Sequence, residues 1–101
     1  MANNSSGFGH THLINKQYCF GAGQGHDFTN ASNGASAFGL WSELHSDTAL
    51  AVGGGTADNR KNAFEVTNDG GVIVPSSTSG STKKFKITVD DSGTITATEV
   101  V

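Results

Sequence analysis

The sequence predicts an all-β protein that winds short strands into a coil and is stabilised by association with further copies of the same chain. Gly, Ser, Thr and Asn make up 44 of the 101 residues, and they favour turns and short strands over helices. Leu, Ile, Val and Phe number only 21, and chains with so few of these residues often fail to build a hydrophobic core alone. Because Cys19 is the single cysteine, no disulfide framework can replace that core, and oligomerisation is expected instead.

Residues 1–16 carry isolated apolar side chains and little periodicity, which predicts an extended arm. Its apolar anchors are Phe8, Leu13 and Ile14. Arms of this kind become ordered against a partner, so we expect residues 1–16 to attach the chain to another protein.

A degenerate repeat occupies residues 17–74 and predicts a glycine-rich β-coil. Its units, separated by intervals that shorten along the chain, are Tyr18–Gly21, Ser36–Gly39, Leu50–Gly53 and, more loosely, Asn62–Val66. Strand alternation separates a bulky face from a small one. The bulky face carries Phe20, Phe38, Val52 and Phe64, and the small face carries Cys19, Ala37, Ala51 and Ala63. We expect the four bulky residues, with Ala37 and Ala51, to form a core shared between chains.

The C-terminal part is predicted to be a polar connector at 75–82 followed by a β-hairpin at 83–101. Phe85, Ile87 and Val89 alternate with polar residues, and the turn residues 90–93 lead into a second alternating run. An isolated hairpin is marginal in water, so this one should pack on the coil or on sister chains.

The repeats at Ser36–Gly39 and Ala49–Thr56 resemble the Ser-x-Ala-x-Gly repeats of trimeric autotransporter adhesin heads, and similar repeats occur in bacteriophage fibre and appendage proteins. The stretch Asn62–Val72 with the hairpin resembles the ends of phage tail-fibre and head-fibre proteins. The N-terminal residues have neither the charged nor the apolar region of a signal peptide, which favours the phage proteins.

The resemblance implies an all-β, homotrimeric fibrous β-roll or β-helix-like coil of short strands with a C-terminal β-hairpin. It implies a structural virion protein, assembled in the host cytoplasm, that forms a head fibre or capsid decoration and binds the capsid or another virion protein through residues 1–16. The alternative is a tail-fibre or adhesin tip module that binds host-surface carbohydrate.

His10 and His12 are the candidate metal ligands. Alternate residues of an extended strand point to the same side, so three parallel copies would present six imidazoles, a set that suits an octahedral transition metal. The phage fibres that the chain resembles use His-x-His in this way around iron. The hypothesis is therefore a transition metal at the trimer axis, and the alternative is a solvated or partner-contacting pair.

Other candidate sites are few. Trp41 and Tyr18 are the candidate ligand-binding residues, because an aromatic ring with one wet edge can stack on a sugar, although Trp41 fits a core or subunit interface as well. A hydrolase would need Ser36 or Ser42 with His45 and Asp47, and no nucleophile motif surrounds either serine. A net charge of −3 and the lack of a long apolar stretch argue against nucleic acid and membrane as partners. We expect no enzymatic activity.

Overall fold

The computed structural model describes residues 4–101, and over this range the chain is all-β and contains no helix. It is a β-solenoid of about four turns whose strands form one eight-stranded sheet in chain order. The strands are β1 (Ser6–His10), β2 (Phe20–Gln24), β3 (Ser36–Leu40), β4 (Thr48–Gly54), β5 (Asn62–Thr67), β6 (Val72–Pro75), β7 (Lys84–Val89) and β8 (Ile95–Glu99).

The first four strands are parallel and form the coil. Ser6 pairs with Phe20, Phe20 with Ser36, and Ser36 with Leu50, so the turns of the coil are nearly equal in length. The predicted interval between the units Tyr18–Gly21 and Ser36–Gly39 was too long, because it aligned Phe20 with Phe38. In the ladder Phe20 pairs with Ser36. The coil also begins before residue 17, since β1 lies within the predicted arm and pairs with β2. Residues 1–3 of that arm lie outside the described residues.

The core of the coil lies between the strands and the returning segments. Each of three turns contributes one large buried apolar side chain from its return, namely Ile14, Phe28 and Leu44. Small residues of the strands face them: a Cβ placed on Gly21 would lie 3.2 Å from Cε1 of Phe28. The strands must therefore carry small inward residues, because the returning segments carry bulky ones.

Ala37 and Ala51 belong to this internal core and have no exposed surface. Their assignment to a core shared between chains was wrong. In β3 and β4 they point inward, whereas their strand neighbours Phe38 and Val52 point outward.

A column of glycines joins the turns. Gly9, Gly23 and Gly39 have φ values of 107°, 109° and 85°, a region that side-chain-bearing residues rarely adopt. A Cβ on any of them would overlap the backbone of the corresponding glycine in the next turn. The stacking of the turns therefore requires glycine in this column.

From β4 onward the sheet is antiparallel. The Asn62–Val66 unit, predicted as a coil repeat, instead lies in β5, where Phe64 pairs with Val52. Glu65, also in β5, is buried, and its carboxylate accepts hydrogen bonds from Thr48 Oγ1 at 2.8 Å and Asn62 Nδ2 at 2.9 Å. β7 and β8 form the C-terminal hairpin and extend the sheet beyond the coil.

Candidate functional site

The two faces of the eight-stranded sheet differ in what covers them. Residues paired across a ladder share a face, and the pairs Leu50–Val66, Val66–Val72 and Val72–Ile87 continue one apolar row from the coil to the hairpin. We call this side the outer face. It is opposite the side that lines the core.

The outer face carries 13 of the 21 Leu, Ile, Val and Phe residues of the chain, and none of the 13 is buried. They are Phe8, Phe20, Phe38, Leu50, Val52, Phe64, Val66, Val72, Val74, Phe85, Ile87, Val89 and Ile95. A continuous apolar patch of this extent is unusual on a protein that acts as a monomer, so the outer face is the candidate interaction surface.

An aromatic row crosses the parallel part of this face. The ring centroids of Phe8 and Phe20 are 5.8 Å apart, and those of Phe20 and Phe38 are 5.6 Å apart, both pairs tilted. These are the separations that aromatic pairs adopt in protein cores, yet Phe8 is 65% exposed and Phe38 41%. The structure brings Phe20, Phe38, Val52 and Phe64 together on this face, as their alternation predicted.

The hairpin end of the outer face is the most exposed. Every residue of β8 is exposed, including Ile95 at 70%, and its neighbour in β7, Val89, is 63% exposed. β8 is the edge strand of the sheet and pairs with β7. No side chain among the described residues covers β8, whereas most of β7 is half-buried.

His10 and His12 do not point to one side. β1 ends at His10, and Thr11 has φ 62°, which turns the chain. His12 then stacks on His26 with ring centroids 5.1 Å apart. Its Nε2 donates to the Phe8 carbonyl at 2.7 Å, and its Nδ1 accepts from the His26 backbone at 3.3 Å. Since both nitrogens of His12 are engaged, this pair does not fit the predicted metal site.

Trp41 and Tyr18 do not form one platform. They lie at opposite ends of the parallel strands, which are five residues or about 17 Å long. The Trp41 ring packs against the backbone of Gly25, and the Arg60 guanidinium lies 5.2 Å from its centroid. Trp41 therefore serves packing within the chain, while Tyr18 is 61% exposed.

A serine–histidine contact exists, but between residues that the sequence did not pair. Ser42 Oγ lies 2.7 Å from Nδ1 of His26, and His26 Nε2 donates to the Ala22 carbonyl at 2.8 Å. Nε2 therefore carries the proton, and Nδ1 accepts from the serine. Ser42 and His26 are 1% and 0% exposed, so the pair is a buried polar link between turns and no substrate can reach it.

The remaining candidates are dispersed. His45 bonds to Glu43 at 2.8 Å rather than to Ser42, and Ser36 lies on the outer face. Buried Cys19 donates weakly to the carbonyls of Gln17 and Ser32. Among residues 4–101 there is no cluster of three or more His, Cys, Asp or Glu that could hold a metal ion.

No protein-family model matches the chain, and no curated protein or solved structure matches it either. Within the described range, no helix is long and apolar enough to cross a membrane. The geometry of the solenoid and its outer face therefore carries the functional conclusion.

Proposed function

We propose that this protein is a structural subunit of a fibrous assembly, in which three copies of the chain pack their outer faces against one another. The observation that carries this proposal is the distribution of apolar residues: the outer face holds 13 large apolar side chains, whereas four residues of these types, Ile14, Phe28, Leu44 and Ile73, are buried in the chain.

The outer face is large enough to support assembly. Eight strands about 4.8 Å apart give a sheet about 34 Å wide, and strands of about five residues are about 17 Å long. The molecule is flat, with extents of 42 × 32 × 18 Å. A face of about 34 × 17 Å, or about 580 Å², approaches the roughly 800 Å² that each partner buries in a standard interface.

The trimer and its setting are supported by the sequence resemblance. We propose a bacteriophage virion as the place of assembly and a head fibre or capsid decoration as the structure formed. Residues 1–16 would attach it to the capsid or another virion protein. The first coil turn begins inside this segment, so attachment would use the open edge of β1 and the chain before it.

The experiment is the solution mass, measured by light scattering over a dilution series. The expected mass is three times the 10.4 kDa of one chain. Because the nitrogens of His12 are engaged within the chain, a chelator should leave that mass unchanged. A folded monomer at every concentration would contradict the proposal, and a dimer would contradict the trimer.

A further inference from the structure

A cleft of about 630 Å³ opens on the sheet face opposite the outer face. Its apolar floor is formed by Ala63, Ile73 and Pro75, and its polar rim is formed by residues 59–62 and 81–84. The volume lies within the range of about 300–1,000 Å³ that small-molecule sites occupy. The cleft therefore has the size and the mixed lining of a ligand site.

The cleft gathers most of the positive charge of the chain. Four of the six Lys and Arg residues line it, but only two of the nine Asp and Glu residues do. The four cations are Arg60, Lys61, Lys83 and Lys84, and the two acids are Glu43 and Glu65. The cleft is thus net positive on a chain whose net charge is −3, and this asymmetry favours an anionic ligand.

Both acids already have partners within the fold. Glu43 is held by Lys84 at 3.2 Å and by His45 at 2.8 Å, and these contacts hold the pKa of its carboxyl below its usual range against the opposing effect of its burial. Both oxygens of Glu65 accept hydrogen bonds from neighbouring side chains. Neither acid needs a further cation from the cleft.

Two of the cations are also committed to the fold. Lys84 bonds to Glu43, and the Arg60 guanidinium donates to the carbonyls of Gly25 and Ser42. Lys61 and Lys83 are exposed at the rim, and Lys83 has only a long contact of 3.8 Å with Glu99. Exposed pairs of that kind contribute little, so the Lys61 and Lys83 ammonium groups can serve a ligand.

We propose that this cleft binds a small organic oxyanion, a carboxylate or phosphate group carried on a hydroxyl-bearing molecule. Lys61 and Lys83 donate to the oxyanion, Ser81 and Thr82 hydrogen-bond hydroxyl groups, and the apolar floor contacts the carbon skeleton of the ligand. Lysine suits this role because its ammonium group is a compact charge with three donors.

This site is independent of the proposed assembly. Glu65 and Ile73 form a ladder pair, and both point to the cleft side, while Val66 and Val72 beside them point to the outer face. Burial of the outer face in a trimer therefore leaves the cleft open on each chain. Failure to detect ligand binding would therefore not count against the proposed assembly.

The test is calorimetric titration of the 101-residue chain with three probes: D-glucuronate, D-glucose 6-phosphate and neutral D-glucose. We expect one or both anions to bind at millimolar concentration, more weakly as salt is added, and glucose not to bind. The ratio between the two anions distinguishes carboxylate from phosphate. No binding of either anion, or equal binding of glucose, overturns the proposal.

Charge-removing variants locate the site. Lys61→Gln and Lys83→Gln should each weaken anion binding about tenfold, the loss typical of one charged hydrogen bond. Both side chains are exposed, so the fold should tolerate either change. Lys16→Gln is the matched control, because it removes the same charge away from the cleft. An equal loss in the control would show non-specific attraction and refute the site.

Discussion

Substitution of Phe38 by Thr should weaken self-association without disturbing the core of the coil. Phe38 is 41% exposed on the outer face, and an aromatic side chain can bury about 200 Å², so assembly can remove about 80 Å² per chain from water. At about 25 cal/mol per Å², this is about 2 kcal/mol per chain and about 6 kcal/mol per trimer. Threonine keeps the preference for a strand.

The effect should be visible in the concentration at which the trimer dissociates. A loss of about 6 kcal/mol raises the trimer dissociation constant about 10⁴-fold. Because the midpoint concentration varies as the square root of that constant, it should rise about 100-fold. Light scattering and sedimentation over a dilution series measure this midpoint, and far-UV circular dichroism checks the fold at a concentration where both proteins are trimeric.

Leu13→Thr is the matched control for Phe38→Thr. Leu13 is 52% exposed, but it lies on the returning wall of the coil, where it pairs with Asp27. Leu13→Thr should therefore leave the dissociation midpoint unchanged. If Phe38→Thr dissociates at the wild-type concentration, or if Leu13→Thr shifts the midpoint equally, the outer face is not the assembly surface.

Three further predictions concern the coil itself. Gly23→Ala should lower the free energy of urea unfolding by at least about 2 kcal/mol, because Gly23 has φ 109° and a Cβ there would overlap the backbone of Gly39. The control is Gly34→Ala, which should cost clearly less, because Gly34 has φ 88° but a Cβ there would have nothing within 4 Å. Phe28→Ala should cost about 3–5 kcal/mol and lower the midpoint of thermal unfolding, because Phe28 is fully buried in the core. Burial lowers the pKa of His26, so the unfolded chain binds a proton at this residue at a higher pH than the folded chain does. The urea midpoint should therefore be constant above about pH 6.5 and fall as the pH drops below it. His26→Gln should flatten this pH dependence.

The repeat is predictable from the sequence, but the conspicuous aromatic residues are not the ones that determine its register. Phe20 and Phe38 were aligned because both are aromatic, yet outward positions are free to vary: Ala22 and Phe38 occupy equivalent places. What must recur is the small inward residue and the glycine two positions later, as in Gly21-x-Gly23 and Ala37-x-Gly39. This pattern also occurs at Gly7-x-Gly9 and would have revealed the first turn.

The corner conformation could not be predicted from the local sequence. The histidine site assumed that the strand continued through Thr11, whereas Thr11 has φ 62°. The equivalent residues of the next turns, Gly25 and Trp41, also have positive φ, at 79° and 47°. Only the glycine hints at this conformation; for Thr11 and Trp41 it is imposed by the stacking of the turns.

The internal core was missed for a related reason. Ile14, Phe28 and Leu44 lie outside every repeat unit that the sequence displays, and they become a column only when the turns are stacked in the register of the parallel ladder. Without that column, Ala37 and Ala51 had no partner within the chain and were assigned to the interface. The alternation in β6 and β7, by contrast, would have extended the outer face correctly to Val72 and Ile87.

The distribution of apolar residues links folding to assembly. A single chain buries one large apolar side chain per turn in its coil, which is little against the conformational entropy of ordering about one hundred residues. Its 13 outer-face side chains remain partly or largely exposed. Association of the outer faces, as proposed, would remove this apolar surface from water and add to the stability of each chain, so stability should rise with protein concentration. Assembly through one sheet face would also account for the position of the cations on the other, since a charge is far less costly on a face that remains hydrated.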